Sequence, residues 1–123
     1  MNTLWRIIFG LASAFILVVP AKADPARGQV LFAACAACHD VGSISSRTGP
    51  SLKGIIGRPA GALSDFRYSR AMSQSGIIWT DDNISKFINY PQGFIRGNRM
   101  PFSGILSSDD RNDIVDYLKN ISR

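Results

Sequence analysis

Cys35-Ala36-Ala37-Cys38-His39 holds both cysteines of the chain and its one histidine within five residues. The spacing has a chemical reason. Two thiols three positions apart at a helix end can each add to one vinyl group of a haem, and the imidazole that follows directly then reaches the iron. Three other readings of a Cys-x-x-Cys pair fit less well. A thioredoxin-type dithiol belongs in a βαβ setting, a structural zinc wants four ligands, and a disulfide across three positions closes too small a loop to stabilise much. The pentapeptide therefore reads as the attachment site of one covalently bound haem c, with Cys35 and Cys38 as thioether donors and His39 as an iron ligand.

Upstream, Asp24-Pro25 signals a helix start, with Asp as N-cap and Pro at the first helical position, and Val30, Leu31, Ala34 and Cys35 follow at helical spacing. Residues 1–23 have a different grammar. Arg6 lies in a short polar start, Ile7 to Val19 is an uncharged apolar run, and Ala21-Lys22-Ala23 supplies the small residues of a peptidase site. The run is too short for a comfortable membrane span. Residues 1–23 are expected to be a secretory signal cleaved after Ala23, leaving residues 24–123 as one domain in the periplasm with no stable membrane insertion. An uncleaved anchor extended by Leu4 and Trp5 is the competing reading.

Composition agrees with one small domain: 123 residues, 46% apolar and 19% charged, with 11 glycines and 6 prolines. All 9 acidic residues are Asp, and removing Arg6 and Lys22 lowers the 14 basic residues to 12, a net charge of about +3. No basic block or basic helix face stands out, which argues against nucleic acid; a modest attraction to acidic redox proteins is the better reading. About 100 residues rich in glycine bury a limited core and gain from a cofactor to pack around.

Downstream, residues 42–61 read as a glycine- and proline-punctuated loop, and a helical turn is weakly signalled at 69–75. Thr80 caps a second helix with Asp81 and Asp82 in its first turn and Ile84, Phe87 and Ile88 on one face before Pro91. Residues 93–104 form another loop. Ser107 with Asp110 opens a last helix whose buried stripe is Ile114, Val115, Leu118 and Ile121, and which should pack across the first. No hairpin signal or sustained alternation is present, so the class is all-α.

One histidine leaves the opposite face of the iron to be filled. Met72 reads as a core or flanking methionine. Met100 lies in Gly97-Asn98-Arg99-Met100-Pro101, where the proline prevents a continuing helix and the loop is free to aim a thioether inward. A soft thioether donates well to ferrous iron, so His39 and Met100 are the expected axial pair.

Over residues 24–123 the sequence resembles the class I c-type cytochromes, in particular the mitochondrial cytochrome c and bacterial cytochrome c2 group. Gly28 and Phe32 resemble the pair that packs the first helix on the last, with Ile114 and Tyr117 as partners. Thr48-Gly49-Pro50-Ser51-Leu52 resembles the loop whose proline carbonyl accepts from the ligand histidine. Gly57-Arg58, Tyr68 and Trp79 resemble the group around the haem propionates; on their own these are an ordinary surface arginine and two core aromatics, though each carries a suitable donor. Met100 with Phe102 and Gly104 resembles the axial methionine loop.

The resemblance implies a small cytochrome c fold with loops wrapping the haem, and a monomeric electron carrier that transforms no substrate. A peroxidase-like haem enzyme and a secreted dithiol or binding module are the alternatives. Phe87 departs from the group's tyrosine, Met72 from an asparagine that helps hold a buried water, and the loop between His39 and Gly49 is one residue shorter. Gln92-Gly93 replaces a lysine pair, leaving Lys53, Lys86, Arg96 and Arg99 as a reduced basic rim.

Overall fold

The Asp24 side chain accepts hydrogen bonds from the N–H groups of Ala26 and Arg27 and Pro25 takes the first helical position, so α1 (Pro25–Leu31) starts where the sequence places it. The computed structural model describes residues 14–123; residues 1–13, the start of the expected leader, lie outside the described residues. Residues 14–23 have no regular secondary structure, and Phe15 to Val19 stand between 81% and 92% exposed.

Phe32 interrupts the first helix, and the chain turns into α2 (Ala33–Ala36). Its ring is buried while Val30, expected on the inward face, is 75% exposed. The inward face is instead Gly28, Leu31, Phe32 and Cys35. After a long loop come α3 (Arg70–Ser73), capped by Ser69, and α4 (Asp81–Asn89), capped by Thr80. The sequence signals the end of this helix before Pro91 and no helix directly after it. The structure opens a further short helix there, α5 (Pro91–Phe94), with proline at its first position after Tyr90 breaks α4 in an extended conformation. The last helix is α6 (Ser108–Ile121).

Among the described residues there is no strand, only one antiparallel bridge between Pro59 and Ile78. It ties the loop to the entrance of α4, with the Gly57 N–H donating to the Trp79 carbonyl at 2.8 Å and the Trp79 N–H to the Arg58 carbonyl at 3.0 Å.

α6 lies across α1 because Gly28 has no side chain. A Cβ there would stand 2.0 Å from the Asp113 carbonyl oxygen, inside any van der Waals contact. Phe32 and Tyr117 close the crossing with ring centroids 5.4 Å apart. Ile114, 1% exposed, fills the centre, and burial of such a side chain is worth about 2 kcal/mol. α4 packs Ile84, Phe87 and Ile88 beside Val115 and Leu118, completing a single core.

The Ser107 Oγ accepts from the Asp110 N–H at 3.2 Å, but the return half of a capping box is diverted: the Asp110 carboxylate pairs with Arg27 on α1. Capping and helix crossing thus share one side chain.

Candidate functional site

α2 ends in the attachment pentapeptide, and its last carbonyls hold the histidine in place. The N–H groups of Cys38 and His39 donate to the Cys35 carbonyl at 3.1 and 3.0 Å, and the Gly49 N–H donates to the Cys38 carbonyl at 2.9 Å. Cys35 and Cys38 are both free thiols and half-buried. Burial, and then the neighbouring Cys38, push the Cys35 thiol up, so it stays protonated at neutral pH.

His39 is buried, with Nδ1 2.7 Å from the Pro50 carbonyl oxygen. A carbonyl only accepts, so Nδ1 carries the proton and Nε2 keeps the lone pair. Burial holds the imidazole below its ordinary pKa, opposed by the Pro50 bond and assisted by the charge of Arg58. Gly49 lies flat on the ring; a Cβ there would be 2.7 Å from Cε1 and 2.8 Å from Nδ1. Ring, tautomer and lone pair are therefore fixed by two consecutive residues of the loop.

That loop is itself braced. Asp40 Oδ1 accepts from the N–H groups of Gly42 and Ser43, which pull its carboxyl below the usual range. The fully buried Ser51 donates its hydroxyl to the Ser43 carbonyl at 2.5 Å. Arg58 then spans the loop, donating to the Ser51 carbonyl at 2.5 Å and the Lys53 carbonyl at 3.1 Å.

Arg58 and Trp79 are brought together through their main chains, and Tyr68 is close enough to Arg58 for their charges to interact. Burial pushes the Tyr68 phenol up, opposed by a bond involving the Leu63 backbone. Trp79 is buried against Phe87, centroids 5.1 Å apart, and Phe87 in turn meets Phe94 at 6.4 Å. The position of the group's tyrosine is thus filled by Phe87, which has no hydroxyl and packs between two other aromatic rings.

Met100 is half-buried against the core, as are Met72, Cys35, Leu52 and Ile56. Its approach depends on Asn98, which the sequence reading did not single out. Asn98 is 6% exposed; its Nδ2 donates to the carbonyls of Pro91 and Ile95 at 2.9 and 2.8 Å, and its Oδ1 accepts from the Met100 N–H at 2.9 Å. Gln92 braces it by donating to the Asn98 carbonyl at 2.9 Å. The exit of the loop is pinned as well. The Ile105 N–H donates to the Ile88 carbonyl at 2.8 Å, and the Arg111 guanidinium donates to the carbonyls of Ile105 and Leu106 at 2.8 and 2.6 Å. Met72, by contrast, sits on the single turn of α3, its N–H held by the Ser69 cap.

Of the reduced basic rim, Lys86 is paired with Asp82 at 2.6 Å, Lys53 donates to the Gly42 carbonyl at 3.3 Å, and Arg99 donates to the Arg67 carbonyl. Gly93 has a structural reason: a Cβ there would meet the Tyr90 ring at 2.2 Å.

The residues present fit a haem c. Two free thiols stand at the required spacing, a tautomer-locked imidazole keeps Nε2 available, and half-buried apolar side chains, two of them thioethers, line the core beside Cys35. Comparison with known proteins agrees with this chemistry. The Cytochrome c family model matches residues 25–122. The chain is 34% identical to cytochrome c2 of Blastochloris viridis, over 95% of this chain and 94% of that protein. It is 40% identical to cytochrome c of Theileria annulata, over 86% of this chain and 92% of that one. Among solved structures, cytochrome cH from Methylobacterium extorquens superposes with a TM-score of 0.76 at 33% identity, covering 80% of this chain and 99% of that chain. With a donor set made for haem and relatives matched along nearly their whole length, the chain belongs to the cytochrome c family, and its haem c is bound covalently through Cys35 and Cys38.

Proposed function

We propose that this chain is exported, loses residues 1–23, and works in the periplasm as a monomer whose iron is held by His39 Nε2 and Met100 Sδ. As a cytochrome c it is a mono-haem electron carrier that exchanges single electrons with redox partner proteins. Bound haem c supplies the one-electron ferric/ferrous couple. The protein's part is to hold and to exclude.

The 2.7 Å contact between His39 Nδ1 and the Pro50 carbonyl carries the reading, because it presents Nε2 as the sole available ring nitrogen. Opposite it, a methionine loop fastened at both ends keeps one ligand set through the redox cycle, which favours rapid transfer. Such fastening also disfavours the peroxidase-like alternative, which needs a vacant iron face and a distal acid-base group. The stack of Trp79, Phe87 and Phe94 lines the core with aromatic rings. Arg58, Tyr68 and Trp79 are the candidate donors to the propionates, and Lys53, Arg96 and Arg99, each exposed, are the candidate contacts for an acidic partner. Export is supported by the exposed apolar stretch Phe15 to Val19, which packs on none of the core residues.

The test compares Met100→Ala with Met72→Ala in the ferric holoprotein. Met100→Ala should lose the weak near-red sulfur-to-iron band, take up cyanide quickly and fall in potential, while Met72→Ala keeps all three properties. The opposite pattern overturns the ligand assignment.

A further inference from the structure

The main-chain nitrogen of Asp24 donates to Asp113 Oδ1 at 2.7 Å, a bond between residues 89 positions apart. Asp113 is only 5% exposed, and its other oxygen binds the Arg27 guanidinium, which also pairs with Asp110. In the full chain the Asp24 nitrogen is an uncharged amide. Two carboxylates, those of Asp110 and Asp113, therefore share one cation, Arg27, while the Asp24 carboxylate is spent on the main-chain N–H groups of Ala26 and Arg27. The site is one positive charge short of a better balance, and the group nearest to supplying it is the Asp24 nitrogen itself.

We infer that the Asp113 carboxylate is a receptor for the α-ammonium that leader removal creates at Asp24, so that processing turns a hydrogen bond from an uncharged amide, between the two ends of the domain, into an ion pair. The inference rests on the cleavage after Ala23 proposed above. The step is a hydrolysis by a leader peptidase. The Ala23–Asp24 C–N bond breaks, the hydroxyl of water goes to the Ala23 carbonyl carbon and its proton to the Asp24 nitrogen, which takes one more proton from solvent at neutral pH. No electrons move.

The physics requires such a partner. An ammonium at the N-terminus of a helix opposes the helix dipole, and a first residue with nothing to hold it frays. Asp113 answers both, since its oxygen is already at bonding distance and its negative charge attracts an ammonium as it does not attract an amide. The surroundings favour the cation too. From α1 only Arg27 competes, from α6 Asp110 and Asp116 add negative charge, and from α4 Asp81 and Asp82 line the shallow cleft where Ala23 sits, with Lys119 there engaged by Asp81.

Two measurements on the exported holoprotein test this. Intact mass gives the terminus, and competitive labelling with acetic anhydride across pH, read by peptide mass, gives the reactivity and titration of the α-amine. The expected result is a terminus at Asp24 whose amine titrates above the ordinary range of about 7.7–8.0 and is about tenfold less reactive at pH 7 than in Asp113→Asn. A version that retains Ala23 as its first residue moves the ammonium away while leaving Asp113 intact, and should label like an ordinary terminus even where Asp113→Asn folds poorly. A terminus at another residue overturns the cleavage and the pair with it. A terminus at Asp24 whose amine titrates ordinarily and labels like the version retaining Ala23 overturns the pair alone.

Discussion

Asn98 and Met100 are joined by a 2.9 Å bond from the Met100 N–H to the Asn98 Oδ1, and the same side chain is anchored through Nδ2 to two carbonyls at the ends of α5. The ligand loop is thus fixed by one buried amide. Replacing it, Asn98→Ala, removes one of two donors from each of the Pro91 and Ile95 carbonyls, which keep the N–H groups of Ile95 and Asn98, and leaves the Met100 N–H without its partner, at about 1–3 kcal/mol for a buried group left unpaired. The variant should lose about 3 kcal/mol in denaturant melts of the ferric protein, and its sulfur-to-iron band and potential should both fall. Gln92→Ala, which removes only a brace at an exposed side chain, should change each by much less. An unchanged band and potential in Asn98→Ala would count against a positioning role.

Gly28→Ala places a methyl group 2.0 Å from the Asp113 carbonyl oxygen, a backbone atom that cannot swing aside. α1 must then lift from α6. We expect a loss of about 3 kcal/mol or more by guanidinium melting of the holoprotein, together with disturbance of the Phe32–Tyr117 pair visible in near-ultraviolet circular dichroism. A wild-type melting midpoint would refute the close crossing.

Acid should act through Asp113. Its carboxyl is held below the ordinary 3.8 by the Asp24 N–H first and by Arg27 after it. A carboxyl depressed in the folded state contributes stability that is fully present above its unfolded value and is lost as pH falls through its folded one. The stability difference between wild type and Asp113→Asn should therefore be constant between about pH 5 and 7 and shrink below pH 4. A difference that grows on acidification would reverse the sign of the argument. Asp40 and Asp65, depressed by backbone N–H groups of Gly42, Ser43 and Ser46, add acid sensitivity of the same sign to the loop that holds His39.

Docking should depend unequally on the basic residues. Lys86 spends its charge on Asp82 one helical turn away, whereas Arg96 stands exposed on the methionine loop. Arg96→Ala should slow association with an acidic redox partner several-fold at low salt, and Lys86→Ala less than twofold, with both effects fading as ionic strength rises. Stopped-flow rates across a salt series decide this; equal effects of the two substitutions would remove the distinction.

Much of the frame was readable without coordinates, since its signals are local. Asp24, Thr80 and Ser107 cap helices through bonds to N–H groups two or three residues away, and the attachment motif is contiguous. Gly28 was legible only through family resemblance, because nothing near it in sequence says that Asp113 will come to lie against it. The missed features act at a distance. Asn98 binds carbonyls that exist as a pair only once α5 has formed, and Arg111 reaches back to Ser85 and Asn89 on another helix. Val30 was misplaced for a related reason: the apolar residues offer two overlapping helical stripes, and the one buried, Gly28, Leu31, Phe32 and Cys35, is selected by the distant α6 that lies on it.

The crossing of α1 over α6 also sets an order of events. If the chain is exported from its N-terminus as proposed above, Cys35, Cys38 and His39 emerge long before residues 108–121 arrive, and α1 has no lasting place to dock until they do. Through that interval the attachment pentapeptide stays on an unfastened segment, open to the machinery that joins haem to thiols. The last helix then acts as a timer: closing it ends the period of access and seals in whatever has been attached.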